Sequence, residues 1–344
     1  MIKTSINRRA RISVDNLYPL FFKPVYKDYL WGGNRILTQF ERQEPPGVYA
    51  ESWEVSDRTD GMSIVTNGSY KGKPLQELIK TDPESLLGKN SHQSSFPLLL
   101  KLIDAHDNLS IQVHPDDKSA KKYGGEAKTE AWIVLDATED AVIYAGFNQE
   151  YPKDEIDRKL PTCNILSMMN TIPVEKGDVI SIPGGRMHAI GKGCLILEIQ
   201  QNSNTTYRVY DWDRLDSAGI GRPLHLSKAR EVIHYADTES PRLTPTLLQE
   251  TPTYKRWNLL STSHFEIEKW TINASLKWEM MNDQFDLLFF RRGKGQIKWE
   301  GGSHPIEKGS SCLIPARSQE LTFQIEEDLE LFRFFLPKTT KSES

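Results

Sequence analysis

Turn-forming residues recur at short intervals along this chain, and short β-rich stretches lie between them. The turn sequences are Gly32-Gly33, Pro45-Pro46-Gly47, Asn67-Gly68, Gly124-Gly125, Gly184-Gly185 and Gly301-Gly302. Spacing of this kind leaves room for strands and hairpins but for few long helices. It is typical of all-β barrels and sandwiches. The sequence therefore predicts a mainly-β protein with few helices.

The predicted strands are rich in β-branched and aromatic residues, which favour extended backbone. They cover residues 131–135, 142–147, 179–183 and 194–200 in the first part of the chain, and residues 265–272, 285–291, 295–300 and 329–335 in the second. Short helices are predicted at residues 74–80, resuming at 83–87, and at 153–160 and 227–235. Ser227 is the predicted N-cap of the last helix, because its hydroxyl can accept a hydrogen bond from a free backbone N–H.

A Gly-x5-Pro pattern occurs twice, at residues 177–183 and 309–315. In each copy the glycine makes a turn and the apolar residues form a strand. The proline then ends the strand, because it has no N–H for the hydrogen-bond ladder. The first copy continues to His188, whereas the second is followed by Arg317 and no histidine. The two parts of the chain therefore resemble each other, and the first is the one equipped to bind a metal.

Several prolines and little periodicity mark residues 236–256, which we interpret as a linker or an extended crossing segment. The predicted organisation therefore has five parts. These are a flexible tail at 1–17, a metal-binding domain at 18–235, the segment 236–256, a second β domain without metal ligands at 257–337, and a C-terminal tail at 338–344.

Composition and charge limit the classes of function. A net charge of −4 gives no reason to expect nucleic acid as a partner. Three widely spaced cysteines, Cys163, Cys194 and Cys312, do not suggest a disulfide framework and favour a reducing compartment. The basic N-terminal segment lacks the apolar stretch of a secretory signal, and no apolar run is long enough to cross a bilayer. We therefore expect a cytoplasmic protein without a membrane or nucleic-acid partner.

Four side chains form a candidate metal site. Residues i and i+2 of a strand point to the same face, so Gln112 and His114 enter one pocket together. By the same rule Glu130 shares a face with Lys128, which adds positive charge beside a possible ligand. His188 follows the strand of the first Gly-x5-Pro copy. Two histidines, a carboxylate and an amide oxygen suit one Zn²⁺ ion, with Mn²⁺, Fe²⁺ and Co²⁺ as alternatives.

A structural role is the competing interpretation of these histidines, since a lone histidine on a strand is more often structural than a ligand. The combination favours metal binding. The string Gly-x5-Pro-x-Gly-x2-His matches the second motif of the cupin barrels, with Lys192 in place of their usual terminal asparagine.

The chain resembles the class I mannose-6-phosphate isomerases, and most of all their short bacterial form. Four motifs carry much of this resemblance: Leu-Ser-Ile-Gln-Val-His-Pro at residues 109–115, Lys-Thr-Glu-Ala-Trp at 128–132, Ile-Pro-Gly-Gly-Arg-Met-His-Ala at 182–189, and Glu-Ile-Gln-Gln-Asn-Ser-Asn-Thr-Thr-Tyr-Arg at 198–208. In this order and spacing they are very specific together. The resemblance implies two cupin-type jelly-roll β-barrels in one chain, with the metal site in the first.

The resemblance also implies functional residues. The zinc ligands fall on Gln112, His114, Glu130 and His188. The catalytic arginine falls on Arg208, and two motif lysines fall on Lys101 and Lys128. The chain departs from longer members of the family in having Asn204 where they carry an aspartate, which puts an acid/base role at that position in doubt. It also has no room for their inserted helical domain.

The implied reaction is the interconversion of mannose 6-phosphate and fructose 6-phosphate through an enediolate. Lys128 is the first candidate for acid/base work, because burial and a neighbouring metal can lower the pKa of a lysine. Glu198 is the runner-up base and a candidate substrate contact. Lys101 and Ser110 are the candidates to hold the phosphate, and Arg208 is expected to stabilise the enediolate.

Two other interpretations compete with this one. The first is another cupin enzyme, such as an iron-dependent oxygenase or a cupin-type glucose-6-phosphate isomerase, but these favour His-x-His where this chain has Gln-x-His. The second is a non-catalytic sugar-binding cupin. Tyr29 and Trp53 could line the sugar pocket, although aromatic residues at strand spacing are more often part of a core. The expected partner is a small sugar phosphate, and we expect a monomer or a homodimer.

Overall fold

The computed structural model describes residues 17–216, 218–279, 283–318 and 320–337. The predicted C-terminal tail at 338–344 lies outside the described residues. So does the predicted N-terminal tail apart from Leu17, which is buried and forms a β-bridge with Ser318.

Strands dominate the described part of the chain, so the predicted mainly-β class is confirmed. They are β1 (Leu20–Lys23), β2 (Val25–Lys27), β3 (Glu51–Val55), β4 (Ile64–Val65), β5 (Leu98–Ala105), β6 (Ile111–Val113), β7 (Glu130–Ala137), β8 (Val142–Phe147), β9 (Met169–Pro173), β10 (Val179–Ile182), β11 (His188–Ile190), β12 (Cys194–Gln201), β13 (Tyr207–Tyr210), β14 (Arg242–Leu243), β15 (Thr246–Glu250), β16 (Tyr254–Ser261), β17 (Glu266–Ile272), β18 (Leu276–Trp278), β19 (Asp286–Trp299), β20 (Gly302–Ile306), β21 (Ser311–Ile314) and β22 (Leu321–Phe335).

The helices are short. They are α1 (Arg35–Phe40), α2 (Leu75–Thr81), α3 (Pro83–Leu87), α4 (Asp117–Tyr123), α5 (Lys153–Lys159) and α6 (Leu226–Val232), with 3-10 turns at Gly68–Tyr70, Gly88–Asn90 and Cys163–Met168. Within the described ranges, no helix combines the length and the apolar character that crossing a bilayer requires.

The first part of the chain forms two sheets. One has the strand order β14-β10-β7-β12-β5-β3-β2, and the other has the order β13-β6-β11-β8-β9. The two sheets share an apolar cluster that includes Trp132 and Ile196 from the first sheet and Ile143 and Ile190 from the second. Burial of these faces against each other fixes how the two sheets pack and leaves polar side chains at one end of the interior.

The third sheet contains most of the second part of the chain. Its order is β15-β16-β17-β22-β19-β21-β1-β4, with β18 paired to β22 and β20 paired to β19. Strand β1 joins it from the opposite end of the sequence, since Leu20 pairs with Leu313. The division into domains at 18–235 and 257–337 stays a prediction, and in the structure β1 and β4 extend the sheet of the later residues.

Both copies of the Gly-x5-Pro pattern form the predicted strand. Strands β10 and β21 each end at the residue before the proline, at Ile182 and Ile314. All three cysteines are free, as predicted.

Segment 236–256, interpreted from the sequence as a linker or an extended crossing segment, contains β14 and β15, each of which pairs at a sheet edge. One local prediction was wrong. Ser227 is not the N-cap of the last helix. Helix α6 begins one residue earlier, at Leu226, because the turn is bound by backbone hydrogen bonds and His225 occupies the cap position.

Candidate active site

A cavity of about 250 Å³ lies at the polar end of the interface between the first two sheets. Its charged lining residues are Glu51, Lys101, Lys128, Glu130, Glu198, Arg208 and Arg222. Five of these residues were predicted as site residues from the sequence, whereas Glu51 and Arg222 were not.

One wall of the cavity is a row of side chains that crosses the seven-stranded sheet. Trp53 on β3 pairs with Lys101 on β5, and Lys101 pairs with Glu198 on β12. Glu198 in turn pairs with Trp132 on β7. Directly paired residues of an antiparallel sheet project to the same face. The register therefore brings together four residues that lie far apart in the sequence.

The facing wall is a second row, on the five-stranded sheet. Its members are His188 on β11, Gln112 on β6 and Arg208 on β13, which pair in that order. His114 lies two residues after Gln112 and is almost fully buried. The prediction that Gln112 and His114 share a face agrees with this register.

Three potential metal ligands meet where the two walls approach. Glu130 starts β7, and its Oε1 lies 3.3 Å from His188 Nε2. Its Oε2 lies 3.6 Å from His114 Nε2. All three side chains are buried, and one ligand atom from each lies within 4.8 Å of the others. This group of three suits a divalent ion coordinated by nitrogen and oxygen.

Both histidines are oriented by backbone carbonyls. The Nδ1 of His114 lies 2.8 Å from the carbonyl of Thr205, and the Nδ1 of His188 lies 2.9 Å from that of Arg186. A carbonyl can only accept, so each Nδ1 carries the proton and each Nε2 offers its lone pair to the cluster.

The protonation states fit this arrangement. Burial lowers the pKa of His188 to about 3, and burial together with the nearby charge of Lys128 holds the pKa of His114 well below its ordinary value. Both rings are therefore neutral at physiological pH, as ligands must be.

The remaining donors also fit a metal. Glu130 Oε2 is buried, and its close contact in the described residues is an ion pair with Lys128 rather than a well-aligned hydrogen bond, so the oxygen can also face an ion between the histidines. The amide nitrogen of Gln112 lies 3.3 Å from His188 Nε2. Since the oxygen and nitrogen of an amide are assigned by their partners, a flip of this group would present its oxygen to an ion between the histidines. The side chains thus provide two nitrogens and two oxygens.

Lys128 lies beside the metal ligands. Its Nζ is 3.0 Å from Glu130 Oε2, 3.3 Å from His114 Nε2 and 3.9 Å from Glu198 Oε1. The Lys128 side chain therefore contacts the candidate ligand Glu130 and the carboxyl group of Glu198 at the same time, which places it to donate or accept a proton in this cavity.

Lys101 is surrounded by carboxylates. Its Nζ lies 3.7 Å from Glu51 Oε2 and 3.8 Å from Glu198 Oε2, and 5.2 Å from the centre of the Trp53 ring. Glu51 is fixed in turn by a hydrogen bond of 2.7 Å from Trp53 Nε1. Although burial lowers the pKa of Lys101, Glu51 and Glu198 outweigh it and raise the pKa above its ordinary value.

Glu198 is the carboxyl group of the cavity whose pKa lies near neutral pH. Burial raises its pKa to about 7, with the nearby cations Lys101 and Lys128 opposing that shift. A carboxyl group with this pKa exchanges protons near neutral pH, which is the requirement for a general acid or base.

Two hydrogen-bond donors in the cavity are unused. The indole Nε1 of Trp132 and the Nε of Arg208 are buried and have no hydrogen-bond partner among the described residues. Arg208 is held instead through its Nη1, which donates to the carbonyl of Pro223 at 2.9 Å. Burial and the neighbouring Arg222 lower the pKa of Arg208. Buried donors of this kind are available to a ligand or to an ordered water.

The remaining predictions lie at the edge of the cavity. Ser110 and Tyr29 line it, whereas Trp53 lies behind Lys101 in the core. Asn204 also lines the cavity, and its Nδ2 donates to Asp60 Oδ2 at 2.7 Å.

Comparison with known proteins places this geometry in a family. The model of the type I phosphomannose isomerase catalytic domain matches residues 20–155, and the mannose-6-phosphate isomerase cupin domain matches residues 256–336. The mannose-6-phosphate isomerase of Streptococcus mutans is 38% identical over 314 residues, which cover 91% of this chain and 96% of that protein.

The chain belongs to the type I phosphomannose isomerase family.

Solved structures support the assignment. A mannose 6-phosphate isomerase from Bacillus subtilis superposes with a TM-score of 0.84 at 32% identity, covering 92% of this chain and 99% of that one. A putative mannosephosphate isomerase from Archaeoglobus fulgidus, at 22% identity, shares the fold with a TM-score of 0.75 over 94% of this chain and 99% of its own. The predicted cupin jelly-roll architecture is confirmed, although in the described residues the strands form open sheets rather than closed barrels.

Membership in this family leaves the two missed residues to be explained by the structure. Glu51 starts β3, where the sequence alone assigned it no role, and it enters the site because β3 pairs with β5. Arg222 lies in the loop after β13 and belongs to no recognisable motif, so no signal in the sequence identified it. A cluster with Asp211 brings it to the cavity, since Arg222 Nε donates to Asp211 Oδ2 at 2.7 Å.

Replacing His188 with alanine is expected to remove the bound metal, because the substitution deletes a buried neutral nitrogen ligand that no neighbouring side chain can replace. Elemental analysis of the purified variant should show metal far below about one ion per chain. His92→Ala, at an exposed position, is the control and should retain the metal. A folded His188→Ala protein with a full complement of metal would exclude His188 as a ligand.

Proposed function

We propose that this chain is a zinc-dependent aldose–ketose isomerase that interconverts mannose 6-phosphate and fructose 6-phosphate through an enediolate. The observation that carries the proposal is the cavity shared by the two walls. It combines a buried His-Glu-His group, a carboxyl group that titrates near neutral pH and an arginine with an unused donor. Family membership supplies the substrate pair, because the curated relatives are mannose-6-phosphate isomerases.

The four proposed zinc ligands are Gln112, His114, Glu130 and His188. A divalent ion bound by them would supply positive charge for the oxygens on the two reacting carbons.

Proton transfer is assigned to two neighbouring residues. We propose that Glu198 removes the proton from C2 of the aldose and returns it to C1, because burial gives its carboxyl group a pKa of about 7. Lys128 is proposed to exchange the hydroxyl protons of O1 and O2 from its place beside Glu198 and Glu130. This reverses the order of preference between Lys128 and Glu198 that the sequence suggested.

The negative charge that develops on the enediolate oxygens is best stabilised by a hydrogen-bond donor that is still free when the substrate is bound. Arg208 fits this role, because its Nε is buried and has no hydrogen-bond partner in the part of the chain that the structure describes, and because Arg208 pairs with Gln112. Lys101, which lines the cavity, is proposed to contact the substrate and to orient Glu198. Ser110 lies at the cavity edge, where its hydroxyl can bind a polar substituent of the sugar.

The test is an assay of the purified protein with mannose 6-phosphate, coupled to detection of fructose 6-phosphate. We expect turnover in both directions, loss of turnover after chelation, and recovery when Zn²⁺ is restored. Parallel additions of Mn²⁺, Co²⁺ and Fe²⁺ identify which ion supports the fastest turnover. A protein that holds zinc and interconverts neither sugar would instead support the non-catalytic sugar-binding alternative.

A further inference from the structure

The charged side chains of the cavity fall into two groups. The carboxylates Glu51, Glu130 and Glu198 are linked to each other through the ammonium groups of Lys101 and Lys128. Each of the two ammonium groups therefore already has two carboxylate partners in this group. The two arginines that line the cavity, Arg208 and Arg222, stand outside this group of ion pairs, and Asp211, the carboxylate that binds Arg222, is not among the lining residues.

Lys101 is therefore poorly placed to bind a phosphate. Its ammonium group lies within 4 Å of both Glu51 and Glu198. A phosphate dianion brought to Lys101 would meet the repulsion of these buried carboxylates before it gained the attraction of one lysine. The contacts instead give Lys101 the role of offsetting the repulsion between these two carboxylates.

Arg222 differs from Lys101 in that it shares a single carboxylate with a second cation, instead of lying between two carboxylates. Its Nε and Nη2 donate to the two oxygens of Asp211, at 2.7 and 2.5 Å. Asp211 also accepts from Arg214 Nη2 at 2.6 Å, so two guanidinium groups share one buried carboxylate. Arg214 also pairs with the more exposed Asp107 at 3.4 Å, so the uncompensated positive charge at this end of the cavity belongs to Arg208, which has no carboxylate within 4 Å in the described residues. In the described residues, the third nitrogen of Arg222, Nη1, donates no hydrogen bond.

The position of this cluster relative to the metal ligands follows from the strands. Arg208 pairs directly across from Gln112. Asp211 comes three residues later, just past the end of β13, and an extended strand advances about 3.3 Å per residue. Arg222 is also tied to Arg208, since Arg208 Nη1 donates to the carbonyl of the adjacent residue Pro223. Arg222 therefore lies on the side of Arg208 that is away from the metal ligands.

We infer that Arg222 binds the phosphate group of the substrate, with Asp211 as the residue that positions its guanidinium. The inference rests on the proposed function and adds the phosphate-binding residue to it. An open-chain hexose 6-phosphate carries its phosphate at the end opposite to the reacting carbons, so its anchor belongs at the end of the cavity opposite to the metal ligands. A planar guanidinium held on one edge by a carboxylate presents its remaining N–H groups to phosphate oxygens.

The test compares Arg222→Gln with the wild-type holoenzyme. We expect KM for mannose 6-phosphate to rise on the order of tenfold to a hundredfold, the loss typical of a charge-assisted hydrogen bond, with a smaller change in kcat. Direct titration with inorganic phosphate should show weaker binding by a similar factor, which gives a readout that does not depend on activity.

Three further variants sharpen the result. Arg158→Gln removes an exposed arginine outside the cavity and should change neither value. Arg222→Lys should retain part of the phosphate affinity, because it keeps the positive charge but lacks the planar set of N–H donors of a guanidinium group. Asp211→Asn should raise KM with kcat retained, because the Arg222 guanidinium stays in the chain but is no longer held in position by the carboxylate.

One pattern would overturn the inference. It is an Arg222→Gln enzyme whose KM and phosphate affinity match the wild type, while Lys101→Gln loses both. If the wild-type protein did not isomerise mannose 6-phosphate at all, the proposed function would fall. The phosphate titration would still decide whether Arg222 binds the anion.

Discussion

Replacing Arg208 with alanine is expected to lower kcat on the order of a hundredfold to a thousandfold, the loss seen when one donor to a developing oxyanion is removed. The physical reason is the unused Nε of Arg208, which is buried in the cavity without a partner in the described residues. A donor held ready in this way gains its hydrogen bond when charge develops on the substrate. KM should change less than kcat, because the interaction strengthens in the transition state.

Measuring the metal content of the variant distinguishes a catalytic role of Arg208 from a structural one. Arg208 is not among the proposed ligands, so the metal content of Arg208→Ala should equal that of the wild type. Arg208→Lys should recover only part of the rate, since it restores charge without the planar donor group. The matched surface control is Arg158→Ala, which should keep full activity. An Arg208→Ala enzyme that retained a large share of wild-type turnover would remove the assignment.

The second large effect concerns stability and lies in the third sheet. Replacing Asp286 with alanine is expected to lower the free energy of unfolding by about 3–5 kcal/mol, as when one partner of a buried ion pair is removed. Asp286 and Arg333 are fully buried, and Asp286 Oδ1 accepts hydrogen bonds from Arg333 Nε at 2.8 Å and Nη2 at 2.6 Å. Its Oδ2 accepts from Trp278 Nε1 at 3.0 Å. The alanine would leave the guanidinium with Glu268 as a weaker partner, at 3.3 Å.

Urea unfolding followed by both fluorescence and circular dichroism gives the measurement, and the two transitions should coincide if a single free energy is to be quoted. The double variant Asp286→Leu/Arg333→Met should recover much of the loss, because it removes both charges together. Glu320→Ala breaks an exposed ion pair with Lys277 and should cost less than about 1 kcal/mol. A loss for Asp286→Ala as small as that of Glu320→Ala would show that Arg333 does not depend on this partner.

The all-β class could be predicted because turns and β-rich stretches alternate locally. Strand β8 occupies the predicted range 142–147, and β10 ends where Pro183 requires it to end. The boundaries of α6 and the strands within 236–256 could not be predicted. They depend on sheet edges and turns formed by distant residues, which local propensity does not encode.

The candidate site divides in the same way. Gln112 and His114 could be placed on one face because the period of a strand is two residues, and the Gly-x5-Pro motif located His188 at a strand end. Lys101 and Glu198 are 97 residues apart, as their numbers give, yet they pair directly across β5 and β12. The period of a strand specifies which face a side chain occupies but does not specify which strand lies beside it.

The sequence by itself determined the mainly-β class, the candidate ligand residues and the family resemblance, because each is written in local spacing and residue type. The tertiary structure alone decided that two rows of side chains on facing sheets meet in one cavity, and that Glu51 and Arg222 belong to it. It also decided that two carboxylates flank Lys101, while Arg222 shares the single carboxylate of Asp211 with Arg214. These features depend on strand register and on the burial of charges between sheets, which arise only when distant parts of the chain pack together.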